Sequence, residues 1–178
     1  MLKDILNNGI FGEIRQQTAY LKEKSRDASL TLVKINNIGE DAVLLAFDSV
    51  RTNKLFQKGR GQNMRCDYVL ISNGITYFME LKSSGQSEIR YYDACLKKFK
   101  AVECLTGYID GVTEAFYDAE GIFFNLKRRF VLFYKAPSIN IKTTSRKPVD
   151  KPFLDKPEHM LCWPVEKNAD EVDLSFLA

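Results

Sequence analysis

The chain has 178 residues, of which 45% are hydrophobic and 28% charged, and its formal net charge is +3. That length fits one domain with a sizeable core, and the composition excludes the disordered and fibrous classes. No apolar run reaches membrane-spanning length and Met1-Leu2-Lys3-Asp4 has no signal-peptide pattern, so a cytoplasmic protein with no membrane partner is expected.

Residues 9–25 (GIFGEIRQQTAYLKEKS) place Phe11, Ile14, Thr18 and Leu21 at helical spacing with charge on the opposite side, which predicts an amphipathic helix. Residues 29–35 and 41–50 read as strands, with Asn36-Asn37-Ile38-Gly39 as a hairpin connection. A basic, glycine-containing loop (51–63) leads into MRCDYVLISNGITYFMELKSSG, residues 64–85, where two apolar runs are split by Ser72-Asn73-Gly74. Asn-Gly suits a type I′ turn, which needs φ > 0 at both central residues. With Ser72 then opposite Ile75, stepping back along both strands brings Asp67 opposite Glu80. The two-residue period puts Lys82 on the face of Glu80, with Val69, Ile71 and Phe78. The other face (Tyr68, Leu70, Ile75, Tyr77, Met79) is also apolar, which predicts a sheet covered by helices on both sides. In residues 87–109, Ile89, Tyr92, Leu96, Phe99, Val102, Leu105 and Ile109 recur at helical spacing. Residues 112–126 are ambiguous, and 128–135 (RRFVLFYK) read as a buried strand. All five prolines and the single tryptophan lie beyond Ala136, which predicts an irregular, basic extension over 136–178.

Two carboxylates facing each other across a sheet repel, so positive charge is expected between them. Lys82 supplies one charge, and a hard divalent cation with oxygen ligands would supply more. An ordinary hairpin with solvated charged ends is the alternative. The four cysteines show no C-x-x-C spacing and read as reduced thiols. The only histidine, His159, reads as a surface loop residue, and its isolation argues against paired-histidine, HNH-type, H-E-x-x-H and most Ser-His-Asp chemistry. Neither phosphate-binding glycine motif is present. Residues 121–160 hold nine Lys or Arg against three Asp or Glu, including Lys127-Arg128-Arg129. Such a stretch suits a nucleic-acid backbone or is simply a solvated loop.

The order of helix, strands, hairpin with Asp67 and then Glu80-Leu81-Lys82, helix and strand resembles the core of the PD-(D/E)XK nuclease superfamily, over about residues 9–135. Glu80-Leu81-Lys82 is the only [DE]-x-K tripeptide in the chain. The resemblance implies an α/β, restriction-endonuclease-like αβββαβ core, a central mixed sheet flanked by helices, within a single nuclease-like domain over 1–178. It implies Mg²⁺, or Mn²⁺ in its place, held by Asp67, Glu80 and the carbonyl of Leu81, with Lys82 acting on the attacking water. The reaction implied is phosphodiester hydrolysis, of DNA, in repair, restriction or phage defence; an RNA substrate stays open. Gly9-x-x-x-Glu13 is similar to the glycine and helix-borne glutamate of Holliday-junction-resolvase-like members, which makes Glu13 a further catalytic carboxylate or an exposed helical residue. Glu23, Asp41 and Asp48 compete for that role. Cys66 stands where a proline is usual. The helix after the motif, where relatives often carry a glutamine or lysine, has no glutamine; Tyr92, Asp93, Lys97 and Lys98 occupy its early turns, and Lys97, Lys98 and Lys100 also read as a solvated face. No DNA-reading module is evident, so specificity would rest on DNA structure, a partner subunit or a homodimer. The rival reading is a non-catalytic nucleic-acid-binding or assembly subunit on the same fold.

Overall fold

The structure is a computed structural model that describes residues 2–23, 28–50, 60–83, 88–123, 125–136 and 155–178. A short helix α1 (Leu2–Ile5) precedes strands β1 (Glu13–Arg15), β2 (Thr18–Lys22), β3 (Leu32–Asn36), β4 (Val43–Ala46), β5 (Tyr68–Ser72) and β6 (Ile75–Lys82). Helix α2 (Glu88–Tyr117) follows, then β7 (Lys127–Lys135), β8 (Leu161–Val165) and β9 (Asp170–Asp173).

The strands form two mixed sheets, ordered β1-β2-β3-β9 and β4-β5-β6-β7-β8, and the protein is of the α/β class. In the larger sheet β4, β5 and β6 make an antiparallel meander, while β6, β7 and β8 run parallel, with α2 as the crossover from β6 to β7. The hairpin register follows from its turn: Asn73 and Gly74 have φ of 51° and 73°, and pairing runs from Ser72 with Ile75 to Tyr68 with Met79.

Both faces of this sheet are buried, by different partners. Val69, Phe78, Phe130 and Leu132 pack against Cys95, Phe99 and Val102 of α2. Leu70, Tyr77, Met79, Val131 and Phe133 pack against Ala19, Leu21, Val33, Ile35 and Val172 of the smaller sheet. The layer order is therefore helix, large sheet, small sheet, and the expected helical cover on both faces is corrected to one helix and one sheet.

That correction originates in residues 9–25, which form no helix. They make the β1–β2 hairpin, turning at Gln16 and Gln17 with φ of 46° and 57°. The buried residues of β2 are Ala19 and Leu21, while Thr18, Tyr20 and Lys22 face outward, a two-residue period that the coincidental helical spacing of Phe11, Ile14, Thr18 and Leu21 concealed. Residues 29–35 and 41–50 do contain strands, β3 and β4, but these lie in different sheets rather than in one hairpin. The connection steps between layers through Asn37 (φ 59°), and the Gly39 N–H donates to Ser72 Oγ at 2.8 Å.

The C-terminal region is also more regular than expected: β8 extends the large sheet beside β7, and β9 adds a parallel strand beside β3. Residues 137–154 lie outside the described residues. Helix α2 absorbs 112–117 of the ambiguous stretch. Its return is fixed by Asp110, whose Oδ1 accepts N–H groups of Ile122 at 2.7 Å and Phe123 at 3.0 Å.

Candidate active site

One step beyond the last paired residues of the hairpin, Tyr68 and Met79, Asp67 lies opposite Glu80. Their face is the one turned to α2, since Val69 and Phe78 alternate with them there. Three backbone and side-chain contacts fix Asp67. Its carbonyl accepts from the Phe47 N–H at 3.0 Å, its Oδ2 accepts from the Leu81 N–H at 2.7 Å, and its Oδ1 lies 3.9 Å from Lys98 Nζ. Glu80 is completely buried. Its Oε1 accepts from Lys82 Nζ and, at 2.5 Å, from Lys98 Nζ. Its Oε2 is buried with no hydrogen-bond partner among the described residues. Two carboxylates thus share two ammonium groups, one from the same strand and one from the helix above.

The electrostatics follow from that burial. Asp67 is pushed up to about 7 by burial and then by the charge of Glu80, with Lys98, the Leu81 N–H and Lys82 pulling the other way. Burial opposes the charge of Lys98, yet Glu80 and Asp67 hold it above the usual lysine range. Burial, followed by Glu80, raises the thiol of Cys66 well above the usual range and that of Cys95 to about 12. Neither is therefore a thiolate nucleophile near neutral pH.

The cluster sits at the carboxyl end of β6, where Lys82 pairs with Tyr134 near the end of β7. In open sheets with parallel strands, ligands bind outside those ends. Asp67, Glu80 and Lys82 are thus brought together, whereas Glu13 is not with them. It lies on β1 of the small sheet, on no helix, and its carboxylate pairs with Arg15 and Lys22, each at 2.5 Å. Asp41 is exposed in a turn. Glu23 and Asp48, together with Asp67, lie close enough to the Tyr68 phenol to help raise it, after burial.

Lys98 is the residue that the sequence reading left among solvated lysines. A signal was present: Lys98 stands three residues after Cys95 and four before Val102, both buried, so it flanks the core face of the helix. Lys97 is exposed, and Lys100 pairs with Glu158 at 2.5 Å. His159 is a surface residue, 4.0 Å from Asp155. Lys127-Arg128-Arg129 opens β7 beside Ile75, Thr76 and Tyr77, so this triplet lies at the opposite end of the sheet from Lys82, roughly 20 Å away. A basic stretch that held a nucleic-acid backbone at this site would have to border the carboxylates, and this part of it does not; Arg128 instead binds Glu103 at 2.8 Å. The remaining basic candidates, Lys142, Arg146 and Lys147, lie outside the described residues.

Among the described residues no three His, Cys, Asp or Glu side chains form a ready ligand set. The unpartnered, fully buried Oε2 of Glu80 beside the carboxylate of Asp67 is nonetheless the kind of oxygen that a hard cation satisfies. No family model, curated protein or solved structure matches the chain.

Proposed function

We propose that the protein is a metal-dependent nuclease, hydrolysing phosphodiester bonds in nucleic acid and most readily in DNA, on a PD-(D/E)XK-like core made of β4, β5, β6, α2 and β7. The observation that carries this reading is the convergence of Asp67, Glu80, Lys82 and Lys98 at one sheet edge, with one oxygen of Glu80 unpartnered. Asp67 and Glu80 would hold Mg²⁺ or Mn²⁺, with the Leu81 carbonyl as the third donor implied by the resemblance. A bound ion supplies a water of lowered pKa and offsets charge on the phosphate. The Leu81 N–H keeps one Asp67 oxygen oriented. Lys82 is partly exposed, at 23% of its side chain, so it reaches solvent while still touching Glu80. It is the group that meets the phosphate as negative charge develops. Lys98, from the helix, holds Glu80 through its Oε1.

Charge placement supports a nucleic-acid substrate. Segments 24–27, 51–59 and 137–154 contain nine Lys or Arg against two Asp or Glu.

The test is cleavage of linear, branched and single-stranded DNA, and of RNA, with Mg²⁺ or Mn²⁺. Wild type should cut at least one of them, and Asp67→Ala and Glu80→Ala should cut none. The binding-subunit reading is favoured by one observation: two lysines already neutralise the two carboxylates. It would be preferred if wild type cut nothing and its melting temperature did not rise with either ion.

A further inference from the structure

We propose that Tyr134 is a positioning residue for Lys82, its ring forming the wall that confines the lysine stem so that the ammonium stays between Glu80 and the substrate. The proposal rests on the reading of Lys82 as the phosphate-facing group, and on three observations of its own.

First, Lys82 and Tyr134 are register partners in the parallel pair β6–β7. Such partners point to the same side of a sheet with their backbones about 4.8 Å apart. Two steps earlier along the same pair, Phe78 and Phe130 meet ring on ring, centroids 4.9 Å apart and planes 11° from parallel. Register partners on this face are thus close enough to touch, and Lys82 with Tyr134 follows Glu80 with Leu132 in the same register.

Second, Tyr134 is only 8% exposed, so its ring is held by its surroundings and can act as a fixed surface.

Third, Lys82 must turn back along its own strand to reach Glu80, two residues earlier. A free lysine stem loses rotamer entropy in taking one geometry. A rigid neighbour on the open side removes competing rotamers at no further cost, which is the support that a site group requires from its surroundings.

The assignment is to the ring and not to the phenol, so the conservative variant should rescue. Nuclear magnetic resonance of lysine-labelled protein reads the arrangement without catalysis. The Lys82 ε-methylene signals, assigned by their loss in Lys82→Arg, should be displaced by the ring current of Tyr134. Tyr134→Phe should retain that displacement, and Tyr134→Ala and Tyr134→Leu should abolish it; the leucine variant keeps apolar bulk in case alanine unfolds the protein. In single-turnover cleavage, Tyr134→Leu should lose about 10-fold to 10²-fold in rate, the scale of a misplaced catalytic group, with DNA affinity unchanged and Tyr134→Phe close to wild type. Undisplaced Lys82 signals in wild type, or signals unmoved by Tyr134→Leu, would overturn the proposal. Displaced signals that respond as described, in a protein that cuts nothing, would support the positioning of Lys82 and sink the nuclease reading instead.

Discussion

Glu80 is held by two lysines through one oxygen, and the two are not equivalent. Lys98 comes from the helix and reaches both carboxylates; Lys82 comes from the strand of Glu80 and, among the described residues, is paired with that carboxylate. Lys98→Met should act on stability, destabilising by about 1–3 kcal/mol because buried Glu80 loses one of its two hydrogen-bonded cations and keeps the other, which denaturant unfolding would measure. Lys82→Ala should act on catalysis, lowering the cleavage rate by about 10²–10³ while leaving DNA binding intact and divalent-ion binding at least as tight, since a nearby positive charge is removed. Equal cleavage by Lys82→Ala and wild type would defeat the mechanism. Asp67 adds a pH signature. Its folded-state pKa near 7 stands above the ordinary value of 3.8, so between pH 4 and 7 the native state binds more protons than the unfolded state. The stability contributed by protonated Asp67 is thus complete below about pH 4 and is lost as pH rises through 7. Without divalent ions, the difference in unfolding free energy between wild type and Asp67→Asn should shift against wild type across that window, by roughly 1–4 kcal/mol. A pH-independent difference would rule out the raised value.

Whether an element was legible depended on whether its local chemistry named its geometry. The β5–β6 hairpin was readable because Asn73-Gly74 states its turn type, and the register of Asp67 against Glu80 followed without tertiary information. Helix α2 was readable because an apolar stripe recurs over many turns, although the side that Lys98 flanks was not inferred. The β1–β2 hairpin was not readable. Gln16 and Gln17 occupy left-handed positions that favour Asn and Gly, and a three-residue and a five-residue strand are too short to show their period against a helical alternative. Strand β9 was hidden for another reason: DEVD becomes a strand only by pairing with β3, more than 130 residues earlier, so its signal is wholly long-range. The turn makes a prediction. Changing Gln16 and Gln17 to Asn and Gly relieves two strained positions and should stabilise the protein by about 1–2 kcal/mol, seen as a higher melting temperature with the cleavage rate unchanged. A lower melting temperature would mean that the glutamine side chains hold the turn in a way the backbone does not reveal.

At the scale of the whole molecule the charges are unevenly divided along the sequence. Nine of the 26 Lys and Arg, but only two of the 23 Asp and Glu, fall in segments 24–27, 51–59 and 137–154, leaving the rest of the chain net acidic. Two of the four sheet margins carry residues that discourage a partner strand: Pro164 on β8, and Asp170, Glu171 and Asp173 on β9. On the proposed function, a nucleic acid is expected to approach the end of the large sheet where β6 and β7 terminate beside the carboxylates. Salt dependence tests that approach, because each phosphate contact adds about 0.9 to the slope of log affinity against log salt. Replacing Lys142, Arg146 and Lys147 together by alanine should weaken DNA binding and flatten that slope by about 2–3. Lys127→Ala, an exposed lysine of the same charge at the opposite end of β7, should leave both unchanged. If the triple variant binds with wild-type affinity and slope, those three residues are solvated surface; if Lys127→Ala matters as much as the triple variant, the duplex does not approach by the carboxylate edge.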